Sequence, residues 1–150
     1  TYIRYADVLL MYAEVLNELQ QTGFDGNTAN HYLNLIRRRA RNTPPKDPAR
    51  AIQRTVPKTT SASLPDIEYT DQARLREAIL NERRVELALE GWRRYDLIRT
   101  KSYGSVMRAY AEKYNTNKGM YFREDRDYLL PIHTGEIDKS HGVWENNPNF

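Results

Sequence analysis

Residues 2–21 read YIRYADVLLMYAEVLNELQQ, and residues 29–41 read ANHYLNLIRRRAR. In the first stretch Ile3, Ala6, Leu10, Ala13 and Leu16 recur at intervals of three and four, with Leu9, Tyr12 and Leu19 widening the stripe. That spacing predicts a helix from Tyr2 to Gln21 with one buried side. In the second stretch Ala29, Leu33, Ile36 and Ala40 keep helical spacing, and the helix ends in the basic run Arg37 to Arg41. Between them Gly23 and Gly26 suit a helix stop, and Asn27 or Thr28 can cap the second helix. Two helices, a short turn and small residues at the contact positions make an antiparallel αα-hairpin.

Working outward, Asn42 to Thr70 differs in kind, because five of the seven Pro lie there among Thr, Ser and Lys. It reads as a long surface loop with local order near Leu64 and Ile67, and loops of this length are usually functional or mobile. Thr70 or Asp71 caps a further helix marked by Leu75, Ile79, Val85, Leu89 and Trp92, with a bend at Gly91 and the pattern resuming through Tyr95 and Ile98. Tyr103 and Gly104 read as a turn and Val106 to Tyr114 as a short Tyr-rich helix. Residues 115–150 read as mostly irregular, with one apolar run at Tyr128 to Ile132 and an extended tail.

A length of 150 residues fits one domain. Leu, Ile, Val and Phe together number 31, close to the ~20% level below which disorder is favoured, but eleven Tyr and a net charge of only +3 argue for folding. The absence of Cys excludes disulfides, thiol catalysis and cysteine-ligated zinc. No run approaches the ~20 apolar residues of a spanning helix. The chain opens on Thr1 with the amphipathic pattern already running at Ile3, so the expectation is a fragment whose targeting information lies upstream.

Glu82, Arg83, Arg84, Glu86, Glu90, Arg93, Asp96 and Arg99 crowd one helical stretch. Glu82, Glu86 and Glu90 succeed one another at i+4, where like charges repel, so arginines must come from elsewhere or from flanking positions such as Arg93 and Arg94. Carboxylates beside the apolar face need such partners to offset desolvation, and 17 Arg against 6 Lys suits that need. A structural ion network is therefore favoured over an acid/base pair at Glu82 and Glu86. The run Arg37, Arg38, Arg39 and Arg41 reads as a solvated helix end pairing with the carboxylate stripe, since nucleic acid binding would bring a larger positive excess. His31, His133 and His141 lack ligand spacing, and Glu124, Asp125 and Asp127 read as a solvated turn rather than a calcium loop. No metal, cofactor or catalytic residue is expected. Tyr and Trp crowd the second half; their rings suit stacking on sugar faces or packing between domains, and Trp144, Tyr121 and Tyr103 are the candidate ligand contacts, Trp144 foremost.

Several segments resemble one family. Arg4 to Glu14 with Asn17-Glu18, then Leu33 to Arg37 with Arg39-Ala40, are similar to the RYAEVLLMYAEALNE and LNxIRxRA pattern of SusD/RagB proteins. Leu75 to Gly91, then Arg93 and Asp96 to Arg99, resembles the family's LRxAILxERRxELAxEGxRxxDLxR signature. Leu129 to Ile132, Glu136-Ile137 and Asn147 to Phe150 resemble its LLPIP, EI and QNPGY ending, with His133 where a second Pro is common and Phe150 in place of Tyr. The resemblance implies an all-α fold of tetratricopeptide-like helix pairs with long irregular loops, here the C-terminal part only, without the N-terminal repeats or the lipoprotein signal. It further implies a non-enzymatic outer-membrane lipoprotein, exposed at the cell surface, that binds a glycan or other nutrient beside a SusC-like TonB-dependent transporter and touches the membrane only through a lipid anchor outside this chain. The family's glycan site lies outside the matched signature, so no site residue carries over. The competing expectation is a free-standing helical-repeat interaction module.

Overall fold

A computed structural model describes residues 3–42 and 64–150, and all regular structure among them is helical. The first helix, α1 (Tyr5–Glu18), starts later and stops earlier than the apolar spacing predicts. Arg4 is extended (φ −119°, ψ 162°) and Gln20 turns left-handed (φ 59°), with the Gln21 N–H returning to the Leu16 carbonyl at 2.8 Å. Helix α1 is thus closed before the glycines, and the expected start at Tyr2 lies outside the described residues. Ala6, Leu10, Ala13 and Leu16 are buried as spaced, whereas Ile3, Tyr12 and Leu19 are exposed. Ile3 precedes the helix and Leu19 follows it, while Tyr12 lies at the edge of the stripe, its ring edge-on to Tyr32 with centroids 4.8 Å apart.

Helix α2 (Ala29–Asn42) and helix α3 (Gln72–Glu86) both pack on α1. Ala29, Leu33 and Ile36 from α2 and Leu75 and Ile79 from α3 join the α1 stripe in one core cluster. Ala40, expected on the buried stripe, is exposed in the last turn of α2. Asp71, not Thr70, caps α3: its carboxylate accepts the Arg74 N–H at 2.8 Å, satisfying one orphan donor of the first turn. The helix ends at Glu86. Val85 is exposed and Leu89, fully exposed, is left-handed at φ 68°, so neither is a core mark.

Residues 64–70 form an extended strap along α2, held by its backbone. Asn34 donates to the Ile67 carbonyl and accepts the Ile67 N–H, both at 2.8 Å. Asn30 does the same for Tyr69, at 2.9 and 3.3 Å. Arg37 donates twice to the Pro65 carbonyl (3.0 and 2.9 Å), and Arg41 donates to that of Leu64 (2.7 Å). The match is geometric: four helical residues advance about 6.0 Å and two extended residues about 6.6 Å, so an i, i+4 pair of Asn meets alternate peptide groups. Leu64 and Ile67, where local order is expected, both lie in this strap. Pro44, Pro45, Pro48 and Pro57 of the expected loop lie outside the described residues.

Residues Thr1–Glu90 form one compact unit and Gly91–Phe150 a second. The second contains α4 (Trp92–Arg99), α5 (Tyr103–Tyr114) and the short α6 (Thr134–Lys139). Gly91, left-handed at φ 85°, precedes α4. Tyr103 and Gly104, expected as a turn, are the first residues of α5 instead. The reversal lies just before them, at Lys101 (φ 52°), where the Ser102 N–H returns to the Leu97 carbonyl at 2.9 Å. Through the irregular part, asparagine side chains substitute for backbone pairing. Asn146 accepts the Ile132 N–H (2.9 Å), Asn147 donates to the Leu130 carbonyl, and Asn149 donates to that of Asp125 (2.8 Å).

Candidate functional site

Glu82 and Glu86 of α3, and Glu90 just beyond its end, face arginines that come from far away in the sequence. Glu82, buried, accepts from Arg37 at 2.6 Å. Glu86 accepts from Arg4 at 2.6 Å and from Arg39, and Glu90 is held by Arg4 at 2.8 Å. The expectation that flanking arginines such as Arg93 and Arg94 serve Glu90 gives way to a partner eighty-six positions upstream. Arg83 is buried and donates to the equally buried Asp7 of α1 at 2.7 Å. Arg84 is exposed and donates to Asn81 (3.0 Å), while in the second unit Arg99 donates to the buried Asp96 at 3.0 Å. The hydrogen bonds that Arg4 donates to Glu90 and then to Glu86 raise its pKa, and Arg4 in turn lowers that of Glu90.

The basic run on α2 is not simply solvated. Arg37 and Arg41 keep only 11% and 12% of their side-chain surface exposed. Arg38 and Arg41 both bind Asp66 of the strap, at 2.6 and 2.8 Å. Burial pushes the Asp66 carboxyl up, but the two guanidiniums outweigh it and hold the group below the usual carboxylate range. Every one of these pairs consumes a carboxylate that an acid/base reading would need free. Sequence reasoning missed Arg4, Asp7, Asn30 and Asn34. The available signal was polar residues set within apolar helical stripes, which must find buried partners.

The candidate ligand contacts lie in the second unit in different settings. Tyr121 is 81% exposed and Trp144 is 53% exposed, with the Trp144 N–H donated to Ser140 Oγ at 2.9 Å. Tyr103 is half-buried against Phe122 (ring centroids 4.7 Å apart), which meets Tyr128 edge-on at 5.0 Å. Tyr103 and Phe122 also line a cavity of about 230 Å³ with Arg94, Asp127, Leu130 and Phe150. The Tyr128 hydroxyl donates to Glu124, which also pairs with Arg108 at 2.6 Å; these bonds lower the Glu124 pKa, while burial and then Glu124 raise that of Tyr128. Asp127 pairs with Arg126 at 2.6 Å and Asp125 with Arg123 at 3.1 Å, and both carboxyls are lowered by those contacts first. These acids form arginine pairs rather than one convergent set.

His31 stacks edge-on against Tyr32 at 5.2 Å, and His133 caps α6 by accepting the Gly135 N–H at 3.1 Å. Among the described residues no three metal-ligating side chains converge, and no helix is long and apolar enough to cross a membrane.

The model of the SusD family matches residues 1–150. SusD-like protein P2 of Formosa agariphila is 32% identical over 151 residues, covering 99% of this chain and 25% of that protein. SusD-like protein P38 of the same organism is 37% identical over 105 residues, 69% of this chain and 17% of the relative. The crystal structure of a SusD homolog from Bacteroides thetaiotaomicron superposes with a TM-score of 0.75 at 31% identity, covering 99% of this chain and 26% of that one. The chain therefore spans about a quarter or less of the length of these relatives.

Proposed function

This chain belongs to the SusD family, and from that premise we propose that it is the C-terminal portion of a surface glycan- or nutrient-binding protein that works with a SusC-like TonB-dependent transporter in polysaccharide uptake. The family match along the whole chain carries the reading. In it, the protein sits at the outer-membrane surface on a lipid anchor outside these residues, and binds its ligand without chemical turnover. The arginine and carboxylate pairs of α3 are scaffold. Tyr121 and Trp144, large rings left open to solvent, are the ligand contacts in the second unit.

The test uses the full-length protein on a glycan array, then calorimetry and affinity co-purification from membranes. Saturable binding of an oligosaccharide or another nutrient, weakened by Trp144→Ala or Tyr121→Ala, together with recovery of a TonB-dependent transporter, is the expected result. A blank across broad libraries with no transporter recovered would overturn the reading in favour of a helical interaction module.

A further inference from the structure

The strap has two edges, and α2 occupies one of them. In extended chain the N–H and C=O of one residue point to the same edge, and those of the next residue to the other. Pro65, Ile67 and Tyr69 turn theirs to α2, where Arg37, Asn34 and Asn30 bind them. Asp66 and Glu68 therefore turn theirs away from α2. Among the described residues none of these four backbone groups takes part in a hydrogen bond. At Thr70 the carbonyl accepts from the Thr22 hydroxyl at 3.3 Å, which ends the open stretch. Asp66 and Glu68 both line a groove of about 520 Å³ that α3 borders at Arg74, Glu77, Ala78 and Asn81. From Arg74 to Asn81 the helix advances about 10.5 Å, and three residues of strand span about 10 Å. The groove is thus as long as the ladder that Asp66 and Glu68 can make.

An open extended edge is a template for a further strand. This one is set before anything pairs with it, because α2 fixes the alternate peptide groups, and a preorganised edge spares a partner the cost of ordering it. Charge then selects the partner. Arg37 is committed to Glu82 and the Pro65 carbonyl, Asp66 to Arg38 and Arg41, and Arg74 lies over the Tyr69 ring, 4.9 Å from its centroid. Glu68 and Glu77 have no ion-pair partner among the described residues. Two straps set edge to edge would bring acidic residues against each other, and like charges across a strand pair are destabilising, so a second copy is disfavoured. A lysine or arginine on a different chain would meet Glu68 across the pair and Glu77 across the groove. Four hydrogen bonds hold a free peptide no more tightly than about millimolar, which suits a segment carried by a folded partner that also binds elsewhere.

We propose that the outer edge of the strap is a docking site for an extended, lysine- or arginine-bearing segment of a partner protein, which pairs with the backbone of Asp66 and Glu68 as an added strand and sets its cation between Glu68 and Glu77. The proposal stands on the strap and its groove and does not depend on the nutrient-binding reading. The probe is a blocked Thr-Lys-Val-Lys-Thr pentapeptide, titrated to about 10 mM into the full-length protein. Hydrogen exchange read by mass spectrometry should slow in residues 64–70 with an apparent Kd of about 1 mM. The same peptide N-methylated at its three central residues should give no protection, because it has lost the donors of its own edge. Glu68→Pro removes one donor from the open edge and none of the bonds to α2, and an extended Ile67 suits the position before a proline. This variant keeps the strap and should weaken the probe about fivefold. Glu77→Gln should weaken it as well, and a blocked Thr-Glu-Val-Glu-Thr peptide should bind at least about tenfold more weakly than the basic one. Equal protection by the N-methylated peptide, which is tested on the unaltered protein, overturns the proposal. So do unchanged affinity in Glu68→Pro, equal binding of acidic and basic peptides, and the absence of any protection in residues 64–70.

Discussion

Asn34→Ala tests the claim that α2 holds the strap by its backbone. Asn34 is 5% exposed and makes two 2.8 Å hydrogen bonds to one residue's backbone, the N–H and the carbonyl of Ile67. Counted as net contributions of about 0.5–1.5 kcal/mol each, their loss costs roughly 2 kcal/mol. If the strap stayed in place, both Ile67 groups would be buried without partners, at about 1–3 kcal/mol each, or up to roughly 6 kcal/mol. The strap can instead peel away and hydrate, which caps the loss, so we expect about 2–4 kcal/mol. Urea unfolding reads the stability, and hydrogen exchange at the Ile67 amide reads the strap directly; its protection should collapse while that of Leu10 and Leu33 in the core persists. Asn34→Asp is the sharper variant: it keeps the acceptor for the Ile67 N–H but sets a carboxylate against the Ile67 carbonyl, and it should be no less damaging. A loss below about 0.5 kcal/mol with Ile67 protection unchanged would refute the reasoning, since so small an effect is typical of a surface substitution.

Other contacts give further expected outcomes. Asp7→Ala removes the carboxylate that the buried Arg83 donates to, and thermal unfolding should show a loss of about 3–5 kcal/mol. Glu82→Gln, which weakens the buried pair with Arg37, should likewise lower stability in urea melts, with no accompanying loss of hydrolysis of any glycan. Gly119 sits at φ 77° with Met107 where a Cβ would go, so Gly119→Ala should cost about 1–2 kcal/mol for the left-handed backbone alone, and more for the collision, read by thermal melts. Arginine contacts lower the pKa values of Glu18, Asp66 and Asp127. Groups lowered on folding contribute stability that is present above their unfolded values near 4 and lost as pH falls through the folded ones, so an acid titration monitored by circular dichroism should show stability flat near neutrality and falling below about pH 4.

The hairpin was legible because periodicity is local. Ala6, Leu10, Ala13 and Leu16 against Leu33 and Ile36 could be paired on paper, since each helix needs one buried stripe and a short turn leaves few ways to supply it. A cap at Thr70 or Asp71 and the demand of Glu82 and Glu86 for arginines were legible for the same reason, since both are stated within one helical turn; the choice of Asp71 was the structure's. Which arginines answer was not. Arg4 and Arg37 reach α3 only because three helices share a core, and nothing near Glu90 in sequence distinguishes Arg4 from Arg93. The apolar mark Leu89 misled because a stripe continues in sequence past the point where the backbone has left the helix, and Val85, still within α3, lies off the side that buries Leu75 and Ile79.

The candidate site divides in the same way. That Tyr121, Trp144 and Tyr103 are large rings with polar tips is a property of the chain alone; that two stand open while Tyr103 leans on Phe122 is not. The strap is the clearest case. Asn30, Asn34, Arg37 and Arg41 look in sequence like weak helix residues and a solvated basic end, and only the docked chain turns them into a row of donors and acceptors at peptide spacing. The sequence by itself determined the amphipathic helices of the hairpin and the need for its carboxylates to be paired, because hydrophobic periodicity and desolvation act on each segment separately. The tertiary structure alone decided the partners, the strap and the groove beside it, because hydrogen bonds and ion pairs between distant segments depend on where the core has already brought their backbones.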